Sequence, residues 1–125
     1  PLRPGFETAD PSDIPTLAGG LVAFLNESRM PPEVTAAHAQ HLLVYIHPFA
    51  EGNGHASRLL TLGLLSRAGY GLPTLAAYVD RFRAGRSEWT ALLRAVGLGQ
   101  DKAEALVAFQ LRLLREAQGD VGEQG

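Results

Sequence analysis

Twelve consecutive residues in the middle of the chain combine side-chain types that act on phosphate groups. In order they are His47, Pro48, Phe49, Ala50, Glu51, Gly52, Asn53, Gly54, His55, Ala56, Ser57 and Arg58. Histidine can accept a proton near neutral pH, glutamate is a hard oxygen ligand for Mg²⁺, and arginine can bind two phosphate oxygens at once. The segment therefore predicts transfer of a phosphate-containing group to an incoming hydroxyl, with His47 as the general base.

Gly52, Asn53 and Gly54 are the predicted anion-binding part of this site. Glycine permits positive φ and lets the backbone approach a ligand closely. The N–H groups of such a turn form a concavity for anions, and the N-terminus of a following helix adds partial positive charge. Arg58 lies about one helical turn further on. We therefore expect the turn and Arg58 to hold phosphate, and Glu51 to hold Mg²⁺ shared with it.

Two other interpretations of the segment are less favoured. A Gly-Asn-Gly sequence alone is usually only a turn between helices, but here a histidine, an acid and an arginine accompany it. His47, Glu51 and His55 recur every four residues, a spacing that would place transition-metal ligands together on an unbroken helix. Pro48 and the two glycines interrupt that helix, so the phosphate site is the preferred hypothesis.

The elements that must position the segment are predicted to be α-helices. Residues 10–13 (Asp-Pro-Ser-Asp) supply caps for the first helix, and residues 31–33 (Pro-Pro-Glu) begin the second. Pro48 ends the second helix because a following proline disfavours the α region at His47. The third helix, about residues 54–68, is apolar on nearly every side, which is typical of a buried central helix.

Three further helices complete the predicted fold. The fourth runs from Pro73 to about Phe82, Ser87 caps the fifth, and Asp101 opens the sixth. No segment shows the sustained alternation of a strand. We therefore expect an all-α helical bundle around the central helix, forming a single domain over residues 1–118 with a flexible tail at residues 119–125.

The composition limits the classes of partner. The chain has 125 residues, a formal charge of −2 and no cysteine, so disulfides and thiolate chemistry are excluded and a dedicated nucleic-acid surface is not expected. No apolar run approaches the about 20 residues that span a bilayer. Neither a nucleic acid nor a membrane is expected as a partner.

The twelve-residue segment resembles the signature of the Fic (filamentation induced by cAMP) family, His-Pro-Phe-x-Asp/Glu-Gly-Asn-Gly-Arg-x-x-Arg. The resemblance extends to Tyr45-Ile46 before the motif, and to residues 72–75 (Leu-Pro-Thr-Leu) and 78–93 after it. Family members have an all-α core preceded by a β-hairpin flap that clamps the target peptide. The resemblance implies that residues 1–9 are the remnant of this flap and that most of the hairpin is missing.

The resemblance implies adenylyl transfer from ATP to a Ser, Thr or Tyr hydroxyl of a target protein. By motif position His47 is the base, Glu51 holds Mg²⁺, and Phe49 is a buried anchor. The phosphate-binding residues are Gly52, Asn53, Gly54, His55 and Arg58. The family also includes phosphorylating and phosphocholine-transferring members, so UMP, phosphoryl or phosphocholine transfer are alternatives. It further suggests an antitoxin-like or inhibitory partner, and a cytoplasmic location or delivery into the cytoplasm of a target cell.

His55 is the one departure from the motif, which has arginine there. Arginine is permanently charged and binds two oxygens, whereas imidazole offers one donor when neutral and is charged only when protonated. Phosphate binding is therefore expected to be weaker and favoured at lower pH. Three interpretations stay open: a weakened enzyme, one adapted to another donor, and a protein-binding module that no longer catalyses.

The aromatic and basic residues after the motif have simpler expected roles. Arg81, Arg83 and Arg86 are predicted to form a solvated face, with a target-docking patch as the alternative. Tyr78 and Trp89 are predicted to be core residues, although Tyr78 could also border a nucleotide pocket.

Overall fold

The computed structural model describes residues 8–47, 52–100 and 102–124, and it confirms the all-α class. This part of the chain contains a 3₁₀ turn and six α-helices, with no strand among its residues. The turn is Pro11–Asp13, and the helices are α1 (Ile14–Glu27), α2 (Pro32–Ile46), α3 (Asn53–Arg67), α4 (Leu72–Ala84), α5 (Arg86–Gly97) and α6 (Ala103–Gln124). No helix within these residues is long and apolar enough to cross a membrane.

The helix boundaries before the motif agree with the predicted ones. The Asp10 side chain caps the 3₁₀ turn by accepting a hydrogen bond from the Ser12 N–H at 2.9 Å. Pro32 is the first residue of α2, where its missing N–H costs nothing. The helix ends at Ile46, as predicted. His47 leaves the right-handed α region, but it adopts the left-handed conformation and not the extended one that a following proline favours.

The boundaries after the motif differ in detail. Helix α5 begins at Arg86 after Gly85, so Ser87 lies within its first turn and does not cap it. Gly85 stands at this boundary because the turn from α4 to α5 packs closely on α6: an added Cβ would lie 3.0 Å from Phe109 Cζ. The predicted start at Asp101 lies outside the described residues, and α6 is helical from Ala103.

Two helices organise the packing of the bundle. Helix α2 lies against α1, α3 and α6, while α6 lies against α2, α4 and α5. The larger apolar core joins α4, α5 and α6, with Phe82, Trp89 and Phe109 among its buried aromatic residues. A smaller core joins α1 to α2 through Leu21, Ala39 and Ile46 and reaches α3 through partly buried leucines.

Helix α3 is less buried than its apolar sequence predicts. It packs mainly along α2 and touches α4 over a shorter stretch, so Leu59 keeps 68% of its surface exposed. The buried face is instead mostly polar and follows every fourth position, with Asn53, Ser57, Thr61 and Leu65. The prediction of a fully buried helix, which was based on apolar residues on all sides, is therefore too high, because α2 and α4 cover only part of the circumference of α3.

A buried polar network fastens α3 to its neighbours. Thr61 Oγ1 lies 2.8 Å from Gln40 Oε1 on α2 and 2.9 Å from the carbonyl oxygen of Ser57. Gln110 on α6 donates from Nε2 to the same Gln40 oxygen and lies 3.3 Å from the Tyr78 hydroxyl on α4. One network thus connects four helices at the centre of the bundle, where burial raises the pKa of Tyr78 to about 12.

The segment before the 3₁₀ turn packs against the end of α2. Thr8 and Ala9 are buried, and the Ala9 N–H donates to the Tyr45 carbonyl oxygen at 2.8 Å. This contact fixes the chain beside the last turn of α2, directly before His47. The predicted flap remnant falls mostly on residues 1–7, which lie outside the described residues.

The segment predicted to be a tail, residues 119–125, is helical as far as Gln124, where α6 ends. Asp120 accepts two hydrogen bonds from the Arg81 guanidinium, at 2.9 Å and 2.5 Å, and Glu116 lies 3.8 Å from the same group. This pairing joins the end of α4 to the last turns of α6. The helix continues through Gly119 and Gly122, although glycine lowers helix propensity.

We expect Asp120→Asn to destabilise the protein at neutral pH and to have little effect in acid. Hydrogen bonds from Arg81 lower the pKa of Asp120 below its ordinary 3.8. The stabilisation is therefore complete above pH 3.8 and is lost as the pH falls through the lowered value. Thermal unfolding at pH 7 and at pH 2 measures the difference, and Glu104→Gln, an exposed acid in the first turn of α6, is the control. Equal destabilisation by Asp120→Asn at both pH values would contradict the ion pair.

Candidate active site

His47 occupies an unusual backbone conformation at the end of α2. Its φ and ψ are 54° and 55°, in the left-handed region, and among the described residues it is the one non-glycine with positive φ. The His47 N–H still donates to the Leu43 carbonyl oxygen at 3.0 Å. Within the described residues, its buried Nδ1 has no hydrogen-bond partner. An unusual backbone conformation is a feature that recurs at functional sites, and it fits the prediction made for His47.

Gly52 and Asn53 form the entrance to α3. Gly52 has φ 81°, which favours glycine, and its carbonyl accepts the Ala56 N–H at 2.9 Å as the helix starts. Asn53 is buried as the first residue of the helix. The N-cap residue is Gly52, which has no side chain to cap this end, and the helix N-terminus carries the partial positive charge that favours an anion. The predicted positive-φ turn is confirmed at Gly52; Pro48 to Glu51 lie outside the described residues.

The Arg58 side chain folds back over the first turn of α3. A Cβ added at Gly54 would lie 3.2 Å from Arg58 Nη1, so the absence of a side chain at position 54 leaves room for the guanidinium. Arg58 Cζ also lies 5.8 Å from the centre of the Phe82 ring on α4. The guanidinium is therefore held between the helix N-terminus and an aromatic face.

A cavity of about 170 Å³ opens beside Arg58, between α3, α4 and the start of α5. Its lining residues are His55, Arg58, Leu62, Tyr78, Val79, Phe82, Arg83 and Arg86. Three arginines and a histidine thus share one small space. The structure brings His55 and Arg58 together as the sequence predicted, and it places Tyr78 at the cavity as well as in the core.

The cavity carries several positive charges and few paired carboxylates among the described residues. Burial, and then repulsion from Arg86, lower the pKa of Arg58. Within the described ranges, neither Arg58 nor Arg86 forms an ion pair with a carboxylate. Two neighbouring guanidinium groups without counter-charge form a site suited to an anion.

The sequence predicts that Arg81, Arg83 and Arg86 form one solvated face. Arg83 and Arg86 are exposed and Arg81 is partly exposed, as expected, but the three side chains belong to two different surroundings. Arg81 pairs with Asp120 at the far end of α6, whereas Arg83 and Arg86 line the cavity of Arg58. Local sequence carried no signal for this difference. It arises because the turn from α4 to α5 passes beside the N-terminal half of α3.

The metal prediction is not tested by the described residues. They contain no group of three histidine, aspartate or glutamate side chains that could hold a metal ion. Glu51, the predicted ligand, lies outside them. A single carboxylate would nevertheless fit Mg²⁺, which is commonly bound by one or two carboxylates together with substrate phosphates and water.

Comparison with known proteins identifies the family of the chain. The sequence model of the Fic/DOC family matches residues 3–65, just over half of the chain. The chain belongs to the Fic/DOC family. The matched region contains the whole twelve-residue motif together with α1, α2 and most of α3.

Several curated relatives match about half of the chain. The "Protein adenylyltransferase Fic" of Culex quinquefasciatus is 46% identical over 63 residues, which are 48% of this chain and 13% of the relative. The proteins of the same name from Drosophila ananassae and Aedes aegypti are 48% and 44% identical over 63 residues, again 48% of this chain and 13% of each relative. The chain therefore matches about an eighth of the length of these relatives. No solved structure matches it.

Proposed function

We propose that this chain carries the catalytic core of a protein adenylyltransferase, which transfers AMP from ATP to a hydroxyl side chain of a target protein. The observation that carries the proposal is the arginine-lined cavity at the N-terminus of α3, in a chain whose motif places His47 just before it. Relatives named as protein adenylyltransferases match about half of this chain, which supports the proposal. A Ser, Thr or Tyr side chain of the target protein is the acceptor.

The proposed site residues have two kinds of role, phosphate binding and proton transfer. The N–H groups of Gly52, Asn53 and Gly54 hold phosphate oxygens at the positive end of α3, and Arg58 holds the outer phosphates. His47 accepts the proton of the acceptor hydroxyl, whose oxygen attacks the α-phosphorus. The bond from the α-phosphorus to the bridging oxygen breaks, and pyrophosphate leaves. Positioning and electrostatic stabilisation supply most of the rate in such a transfer.

Glu51 is the residue that would hold Mg²⁺ in this site. The ion would neutralise negative charge on the phosphate oxygens. We further propose that an inhibitory partner protein controls the activity. The proposed site of action is the cytoplasm, either of the producing cell or of a cell into which the protein is delivered.

His55 favours a second candidate, a transferase of the same fold that uses another phosphate-containing donor. A neutral imidazole in place of the motif arginine removes one bidentate contact and one permanent charge from the anion site. UMP, phosphoryl and phosphocholine transfer all require an anion site of this kind. A catalytically inactive protein-binding module on the same fold is the third outcome.

Mass spectrometry of the reaction product tests these candidates directly. The protein is incubated with Mg²⁺ and ATP, UTP or CDP-choline, first alone and then with a cell lysate that supplies acceptor proteins. An added AMP group on a hydroxyl side chain supports the proposal. An added UMP, phosphoryl or phosphocholine group identifies the second candidate. No modification with any donor in either sample contradicts the transferase function.

We expect Arg58→Gln to weaken the binding of ATP with Mg²⁺ by about 1.5–3 kcal/mol, or roughly 10–150-fold, the usual contribution of hydrogen bonds to a charged group. Isothermal titration calorimetry measures the dissociation constant. Arg67→Gln is the matched control, because Arg67 lies exposed in the last turn of the same helix. Equal affinity of Arg58→Gln and the unaltered protein would remove Arg58 from the phosphate site.

A further inference from the structure

Arg86 lines the same cavity as His55 and Arg58, although it lies on a different helix and outside the motif. We propose that Arg86 is a phosphate-binding residue which supplies the permanent positive charge that His55 lacks. The inference rests on the proposed function, since it assigns a further contact to the donor's phosphates. It adds a residue of α5 to a site otherwise formed by the motif.

The position of Arg86 is fixed by the turn that precedes it. Arg86 is the first residue of α5, directly after Gly85. An added Cβ at Gly85 would lie 3.0 Å from Phe109 Cζ and 3.4 Å from the Arg81 carbonyl oxygen, so the backbone there lies tightly against α6. The Trp89 N–H donates to the Gly85 carbonyl oxygen at 3.1 Å, so the first helical hydrogen bond of α5 already involves Gly85. The base of the Arg86 side chain is therefore anchored while its guanidinium faces the cavity.

The nearby carboxylates are engaged by other arginines. Glu88, in the first turn of α5, pairs with Arg112 at 3.2 Å. Asp80 on α4 lies 3.8 Å from Arg83. Arg86 has no such partner in the described part of the chain, and its charge is close enough to Arg58 to lower the pKa of that residue. An anion bound between the two guanidinium groups would convert this repulsion into two attractive contacts.

Arg86 is better suited to this role than Arg83. Both side chains are exposed, but Arg83 lies 3.8 Å from the Asp80 carboxylate, and this carboxylate offsets part of its attraction for an anion. A permanent charge at Arg86 also explains how the site can tolerate histidine at position 55. The charge lost from the motif is replaced across the cavity.

A double-substitution experiment tests this replacement. The dissociation constants of ATP with Mg²⁺ and of inorganic pyrophosphate are measured by calorimetry for R86Q, H55R and R86Q/H55R. We expect R86Q to lower the affinity for both ligands at least tenfold. Adding H55R to the R86Q protein should restore most of the lost affinity. R115Q, an exposed arginine of α6 away from the cavity, should bind as the unaltered protein does.

The inference is overturned if R86Q binds both ligands within twofold of the unaltered protein, or if H55R fails to restore affinity to it. Thermal unfolding of each variant shows whether the fold is kept, and a conservative R86K variant with intermediate affinity supports a contact by charge if R86Q is unstable. The proposed function is judged separately by group transfer. If the protein transfers the group but R86Q binds both ligands normally, the inference about Arg86 is wrong and the proposed function stands. If R86Q loses affinity but no group is transferred by the unaltered protein, the proposed function is wrong and the phosphate contact stands. If the unaltered protein binds neither ligand, both are wrong.

Discussion

Replacing His47 with asparagine is expected to slow group transfer from ATP about 10²–10⁴-fold while leaving ATP binding nearly unchanged. This range is the usual contribution of a positioned general base. Asparagine tolerates the left-handed conformation that His47 adopts, so the turn from α2 towards α3 should be kept. The rate is measured by transfer of label from the α-phosphate of ATP, and the affinity by calorimetry.

His38→Gln is the matched control for this prediction. His38 lies on the same helix and contacts His41, whose Nε2 is 3.3 Å from His38 Nδ1. Burial, and then the neighbouring His38, lower the pKa of His41 to about 4, so that ring is a poor proton acceptor at neutral pH. Among these three histidines, His47 is the one expected to matter for the rate. Equal losses in His38→Gln and His47→Asn, or full activity of His47→Asn, would contradict its role as base.

Replacing Phe82 with alanine is expected to lower the free energy of unfolding by about 3–5 kcal/mol. Phe82 is 2% exposed, and its ring centre lies 5.3 Å from that of Trp89 and 6.4 Å from that of Tyr78. Its removal leaves a cavity between α4 and α5 and takes away the aromatic face beneath Arg58. Urea-induced unfolding measures the change. A loss of this size is a large part of the 5–15 kcal/mol that stabilises a typical domain.

The control for Phe82 is Leu59→Ala. Leu59 is a large apolar residue, but it is 68% exposed on α3, and such surface substitutions usually change stability by no more than about 0.5 kcal/mol. A loss below about 1 kcal/mol in Phe82→Ala, or a similar loss in both variants, would mean that the core does not centre on Phe82.

Local sequence signals predicted the helices well where a backbone restriction decides the outcome. The proline at position 32 and the cap at Asp10 act within one turn of chain, and both mark the observed boundaries. The same signals failed where a distant contact decides. Nothing near Gly119 or Gly122 indicates that α6 continues, because the stabilising partner of Asp120 is Arg81 on another helix.

Some residues of the candidate site could be predicted from local sequence, and others could not. The motif identifies His55 and Arg58 as neighbours because they are three residues apart on one helix, and the structure places both at the cavity. Arg83 and Arg86 reach that cavity through the packing of α4 and α5, which no spacing in the sequence encodes. The roles of His47, Glu51 and the Gly-Asn-Gly turn stay predictions from the motif.

The polar stripe on α3 has a consequence for the angle at which this helix is set. A helix covered with leucine can turn about its long axis and exchange one apolar contact for another of similar energy. Thr61 removes that freedom, because only one rotation brings its hydroxyl to Gln40 inside the bundle. Each residue of slippage would swing the helix by about 100° and carry Arg58 away from Phe82. The hydrogen bond at Thr61 therefore fixes the rotation of α3 about its axis and, with it, the position of Arg58 beside the cavity.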